Sequence, residues 1–165
     1  MKKISYKAVI LLMAAIISII PAEINACAKE DAELEKACSA AVKAAGNAEK
    51  LAYKSATPTD FEAVSYKHKK RVASCFFVTS DNSVYNVFVA KAKSVNDAKK
   101  LNKAFSEYKE NQITGIYFNT DYTKTEQNVM KNAVYGRKGK YVWYISMSHK
   151  AKNNIAGEKA LKQKI

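Results

Sequence analysis

The stretch YGRKGKYVWY, residues 135–144, sets Arg137, Lys138 and Lys140 beside Tyr141, Trp143 and Tyr144. Guanidinium and ammonium groups neutralise phosphate or carboxylate, and aromatic faces stack on bases or sugars. The composition therefore suits a tip that binds anions or single-stranded nucleic acid. It approaches an RNA-binding pattern, K-G-[FY]-[GA]-[FY]-V-x-[FY], but Lys140 occupies the first aromatic position and one residue is missing before the next aromatic. The pattern favours a simpler reading, a basic β-turn followed by a core strand whose aromatics are buried. A second cationic cluster, Lys67 to Arg71, surrounds His68 inside KSATPTDFEAVSYKHKKR, residues 54–71, which reads as a connector.

Other chemistry finds little support. His68 and His149 are the two histidines, and neither HExxH nor a CxxC pair occurs, so no metal site is expected. A nucleophile needs an oriented base beside it, and no G-x-S-x-G elbow is present. Glu107, Glu110, Asp121 and Glu126 offer carboxylates for a small hydrolase, although helix caps and solvated faces account for them equally well. With five glycines and neither a P-loop nor a dinucleotide fingerprint, no phosphate cradle and no cofactor are expected. The pattern assigns no catalytic residue.

The N-terminus directs the chain to a compartment. Lys2, Lys3 and Lys7 precede an uncharged run, Ala8 to Ile20, which is too short to span a bilayer and is followed by Pro21. This is the profile of a secretory signal peptide over residues 1–28, with Pro21 ending its helix, a single domain over 29–165, and no integral membrane span after processing. Ile24-Asn25-Ala26-Cys27 approximates a lipoprotein signal in which Cys27 receives the lipid, whereas Ala26-Cys27-Ala28 is a good site for ordinary cleavage after Ala28. Cleavage after Ala26 without lipidation is a third route. The two main routes leave Cys38 and Cys75 as the free thiols, a candidate disulfide in an oxidising compartment or else two small buried side chains.

Removal of residues 1–28 takes Lys+Arg from 28 to 25 and Asp+Glu from 15 to 14, a net charge of about +11. Outside the cytoplasm such a surface meets anionic lipid headgroups, teichoic acids or lipopolysaccharide, acidic polysaccharide, or extracellular DNA. A solvated basic coat with no specific partner produces the same composition.

The elements that must position these groups can be read from periodicity. Leu34, Cys38, Ala41, Ala45, Ala48 and Ala52 recur at helical spacing, which predicts a helix over 30–53 whose small residues allow close approach. Residues 72–79 and 84–92 predict a β-hairpin with apolar side chains on both faces, hence a sheet covered on both sides. Ser94 and Asp97 introduce a second helix over about 95–111, and Thr123 and Glu126 repeat the capping pattern before a shorter third. Val134 and Tyr135 then enter a turn through Gly136 to Gly139. The strand beyond it places Tyr141, Trp143, Ile145 and Met147 on one face and Val142, Tyr144 and Ser146 on the other. Ser148 caps a last helix carrying Ile155 and Leu161. The expected fold is α+β, in the order α-ββ-α-α-ββ-α, with helices packed on an antiparallel sheet of about four strands in two β-hairpins.

VYNVFVAKAKSVNDAKKLNKAF followed by DYTKTEQNVMKNAVYGRKGKYVWYISMS resembles a family of bacterial exported proteins, mostly lipoproteins of Gram-positive anaerobes, grouped as a domain of unknown function. The likeness covers about residues 72–148. It rests on Asp97-Ala98 opening a helix after a Lys-x-Lys-like segment, and on Asn132 to Val134 turning through Lys-Gly into Tyr141-Val142. Members usually carry an acidic residue where this chain has Val84-Tyr85-Asn86. The resemblance implies an envelope-associated protein and brings no catalytic residues with it. The expectation is an extracytoplasmic, noncatalytic module for anionic envelope polymers or a membrane surface, with a small hydrolase and a binder of extracellular nucleic acid as alternatives.

Overall fold

The computed structural model describes residues 21–46, 52–54, 58, 60–80, 84–118 and 122–165, with backbone alone at 21–31, 52–54, 65–66 and 116–118. The expected signal segment before Pro21 lies outside the described residues. The chain divides into two compact units, Met1–Glu30 and Asp31–Ile165. Cys27 falls in the first, within the backbone of helix α1, Pro21–Ala45, and the helix expected to end at Pro21 lies outside the described residues.

Helix α1 stops earlier than its alanine stripe suggests. Gly46 adopts φ 64°, a left-handed conformation that ends helices and that L side chains resist. Ala52 and Tyr53, where the expected helix ends, lie instead in a three-residue strand β1, Ala52–Lys54. A single turn of helix α2, Ser65–His68, and a 3₁₀ turn, Lys69–Arg71, lead into β2, Val72–Thr79. There follow β3, Asn86–Ala92, α3, Val95–Phe118, α4, Lys124–Lys131, β4, Val134–Lys138, β5, Tyr141–Ser146, and α5, Ala151–Lys162.

The sheet is antiparallel throughout, in the order β1-β2-β3-β5-β4. The two expected hairpins supply four of its strands and β1 adds a short edge. The class is α+β, as expected.

Both faces of the sheet are covered, because both faces of its central strands are apolar. On one face Phe77, Phe88, Val142 and Tyr144 pack with Ala98, Leu101 and Phe105 of α3. On the other, Val78, Val87, Trp143 and Ile145 pack with Leu34, Cys38 and Ala41 of α1 and with Leu161 of α5. Among the described side chains the buried stripe of α1 begins at Leu34, beyond every proposed cleavage position. Cleavage at any of these positions would therefore leave this core intact.

The caps agree with the sequence in two places and differ in a third. Thr123 and Glu126 form a complete capping box. The Ser94 hydroxyl accepts from the Asp97 N–H at 3.0 Å and donates to Asp97 Oδ2 at 2.7 Å. Ser148, however, does not cap α5, which begins at Ala151; its hydroxyl accepts from the Lys150 N–H and from Asn153 Nδ2. The buried face of α5 is Asn154, Gly157 and Leu161, and Ile155, a step of about 100° away, is 55 % exposed. Gly157 is there because α1 is close: a Cβ on it would lie 2.9 Å from the Ala41 carbonyl oxygen.

Candidate functional site: the cationic end of the sheet

Strand register brings the two cationic segments to one end of the sheet. Val72 pairs with Ala92, Lys91 with Tyr141, and Tyr141 with Lys138. Arg71, Lys93, Lys138 and Lys140 therefore flank the same strand ends. Two backbone bonds fasten this end: the Lys93 N–H donates to the Arg71 carbonyl at 2.9 Å, and the Ala92 N–H to the Lys140 carbonyl at 2.8 Å. Lys69, Lys70, Lys93, Arg137 and Lys140 are exposed there. The opposite ends of the same strands carry buried, uncharged Thr79, Asn86 and Ser146.

The second turn is tighter than expected. Strand β4 continues through Gly136 to Lys138, so Gly139 and Lys140 alone make the loop, with Gly139 at φ 59°. Arg137 consequently lies in a regular strand and points to the α3 side, like its partner Val142, while Lys138 shares the other face with Tyr141 and Lys91.

The aromatic half of the YGRKGKYVWY patch is largely inside. Trp143 is 1 % exposed; its indole N–H donates to Glu158 Oε1 at 3.1 Å, and Lys162 Nζ stands 5.2 Å from the ring centroid. Tyr144 is buried on the other face, and its burial raises its pKa. Tyr141 is half-buried. Lys138 has a structural task, since its ammonium donates to the carbonyl of Lys162, the last residue of α5, and to the main-chain oxygen of Ile165 beyond it. What remains open to a partner at this hairpin is mainly charge, from Arg137 and Lys140, beside the half-buried Tyr141.

A second feature adjoins this end. The segment carrying Lys67 to Arg71 is anchored by Phe61 and Val64, two apolar residues that belong to no periodic pattern. The Phe61 ring sits 4.9 Å from Phe88, 5.1 Å from Tyr108 and 5.3 Å from Tyr144, at the centre of the α3-side core. The anchored segment is then tied to α3: Arg71 Nη1 donates to Asp97 Oδ1 at 2.9 Å and Arg71 Nε to Nδ1 of His68 at 3.3 Å. The Ser94 hydroxyl, and after it Arg71, hold the half-buried Asp97 carboxyl below its usual range. Burial, and then the charges of Arg71 and Lys67, lower the pKa of His68, against a smaller opposing effect of Glu107. Between this segment and α3 runs an open groove whose two adjoining lobes measure about 180 and 160 Å³.

Cys38 and Cys75 are not joined by a disulfide. Cys38 lies in the α1-side core and Cys75 in the α3-side core, so the sheet separates them. The Cys38 thiol donates to the Val87 carbonyl at 3.7 Å, and burial, followed by the charge of Glu35, raises its pKa.

Among the described residues no group of three or more His, Cys, Asp or Glu side chains is placed to hold a metal ion. Also among them, no helix is long and apolar enough to cross a membrane. Searches against protein-family models, curated proteins and solved structures find no match to this chain.

Proposed function

We propose that the folded chain works outside the cytoplasm as a noncatalytic module that binds anionic polymer of the cell envelope through the cationic end of its sheet. The observation that carries this reading is the convergence of Lys69, Lys70, Lys93, Arg137 and Lys140, from three separate stretches of sequence, on one end of one sheet. Asp97, which opens α3 beside them, is occupied by Arg71 and Ser94 and does little to neutralise the surface. The export profile of residues 1–28 and the likeness to envelope-associated exported proteins supply the compartment. Burial of Trp143 and Tyr144 removes the stacking surfaces that single-stranded nucleic acid would use, which favours recognition by charge. The carboxylates on the adjoining groove, Glu62 and Glu107, are exposed, unlike the desolvated acid of a glycoside hydrolase.

Sedimentation with cell-wall fragments and with anionic vesicles tests the reading. Binding should be strong at low ionic strength and fall as the screening length shortens from ~30 Å at 0.01 M to ~3 Å at 1 M salt. A Lys93→Ala/Arg137→Ala/Lys140→Ala variant should lose most of it. Binding indifferent to both salt and these substitutions would overturn the proposal.

A further inference from the structure

The groove between Ser65–Arg71 and α3 is more than a stretch of basic surface. One lobe is lined by Lys67, Lys100 and Lys103 together with His68 and Glu107. The Arg71 Nε–H points at Nδ1 of His68, so Nδ1 accepts and the ring proton sits on Nε2. His68 is thereby oriented as a neutral donor, steadied through Arg71 by the Asp97 carboxylate and the Ser94 hydroxyl. Three ammonium groups against one carboxylate leave two positive charges in excess. A phosphate monoester carries about −1.5 to −2 near neutral pH and presents several strong acceptor oxygens to such donors. A sugar carboxylate carries a single charge and would leave one cation of the lobe uncompensated.

The adjoining lobe has another character. It shares Lys67, His68 and Glu107 with the first and adds Glu62, Tyr108 and Asn111. Exposed carboxylates and an amide are acceptors and donors for hydroxyl groups, and Tyr108 offers a rigid wall because its ring is packed on Phe61 and Tyr144 at 5.1 and 5.4 Å. Glu107 stands at the junction, 3.6 Å from Lys103.

We infer that this groove is a binding site for the phosphate monoester of a polyol or sugar, the phosphate held by Lys67, Lys100, Lys103 and the His68 N–H, the hydroxyls by Glu62, Glu107 and Asn111. The site is separate from the exposed strand-end cations of the proposed polymer surface, and the two can fail independently.

Titration of the full-length protein with glycerol 3-phosphate, followed by calorimetry or by amide shifts, tests it. Binding should be tighter than that of inorganic phosphate, and glycerol alone should not bind. Lys100→Ala/Lys103→Ala should weaken glycerol 3-phosphate at least tenfold, while Glu107→Gln should spare inorganic phosphate and reduce the preference for the ester. All of these side chains are exposed, so thermal unfolding should be nearly unchanged in each variant. Failure of both phosphate ligands to bind at low salt, or equal affinity in the wild type and in Lys100→Ala/Lys103→Ala, would overturn the inference. Sedimentation of the groove variant with wall fragments separates the two proposals, because loss of ester binding with polymer binding intact is expected if both sites are real. Phosphatidic acid vesicles present the same monoester on a lipid. Displacement of glycerol 3-phosphate by such vesicles assigns the group to a lipid headgroup, and lack of displacement assigns it to a soluble ester.

Discussion

The Lys140 carbonyl oxygen accepts the N–H of Ala92 at 2.8 Å, so the tip of the second hairpin is fastened by backbone to the end of the first. The Lys140 side chain takes no part in that bond. Lys140→Ala and Lys93→Ala should each leave stability within about 0.5 kcal/mol of wild type while lowering affinity for anionic vesicles. Gly139→Ala acts oppositely: its φ of 59° should make the substitution cost about 1–2 kcal/mol in urea denaturation, with all the charges retained.

Phe61 holds the cationic segment from below. Its ring is 2 % exposed and touches aromatic side chains from β2, β3, β5 and α3, so Phe61→Ala should cost about 3–5 kcal/mol. The denaturant midpoint should move accordingly. A shift under ~1 kcal/mol would mean that the segment is not seated on the core as described.

Trp143 separates a core role from a binding role. Trp143→Phe keeps most of the buried surface and removes the hydrogen bond to Glu158, a loss of about 0.5–1.5 kcal/mol. Binding to wall fragments should not change. A large loss of binding with stability intact would place the indole in the partner surface after all.

His68 predicts a pH dependence. Its folded-state pKa lies below the ordinary imidazole value near 6.5, so the unfolded chain binds more protons as the medium is acidified. The contribution to stability is complete above about pH 6.5 and is lost as pH falls through the lower, folded value. Urea midpoints should drop between about pH 7.5 and about pH 5.5, and less steeply in His68→Gln, which cannot titrate. Equal slopes in the two proteins would show that His68 does not sense the Arg71 and Lys67 charges.

The thiols give a chemical reading of the two cores. Cys38 and Cys75 are both buried, so a thiol reagent should leave the native protein unlabelled and modify both residues on denaturation without prior reduction. The intact mass of the same sample also decides between acylated Cys27 and a chain starting at Lys29. Labelling that required a reductant would contradict the placement of the two cysteines on opposite sides of the sheet.

The parts of the fold that were legible in the sequence are those that repeat. Alternation in VWYIS and the apolar stripe from Ala98 to Tyr108 carry their own geometry: the first divided the side chains of β5 between its two faces as observed, and the second marked the side of α3 that packs into the core. Single residues did not announce themselves. Phe61 sits alone in a polar connector, and Asn154 looks like any surface amide. Yet Asn154 is wholly buried, accepting from the Met147 N–H and donating to the carbonyls of Asn132 and Ser148. The alanine pattern overran Gly46 because periodicity reports a face and a positive φ reports an ending. The cationic clusters were visible separately, but their meeting depends on the register between β3 and β5, which is a tertiary property.

Strand β4 forms one outer border of the sheet, and it is short, holds Gly136 at its middle and ends in Arg137 and Lys138. A border of that kind repels another copy of itself and offers few unpaired amides for a neighbouring strand to template upon. Copies brought close together on a negatively charged chain would thus not stitch their sheets into a fibre by joining these borders to each other.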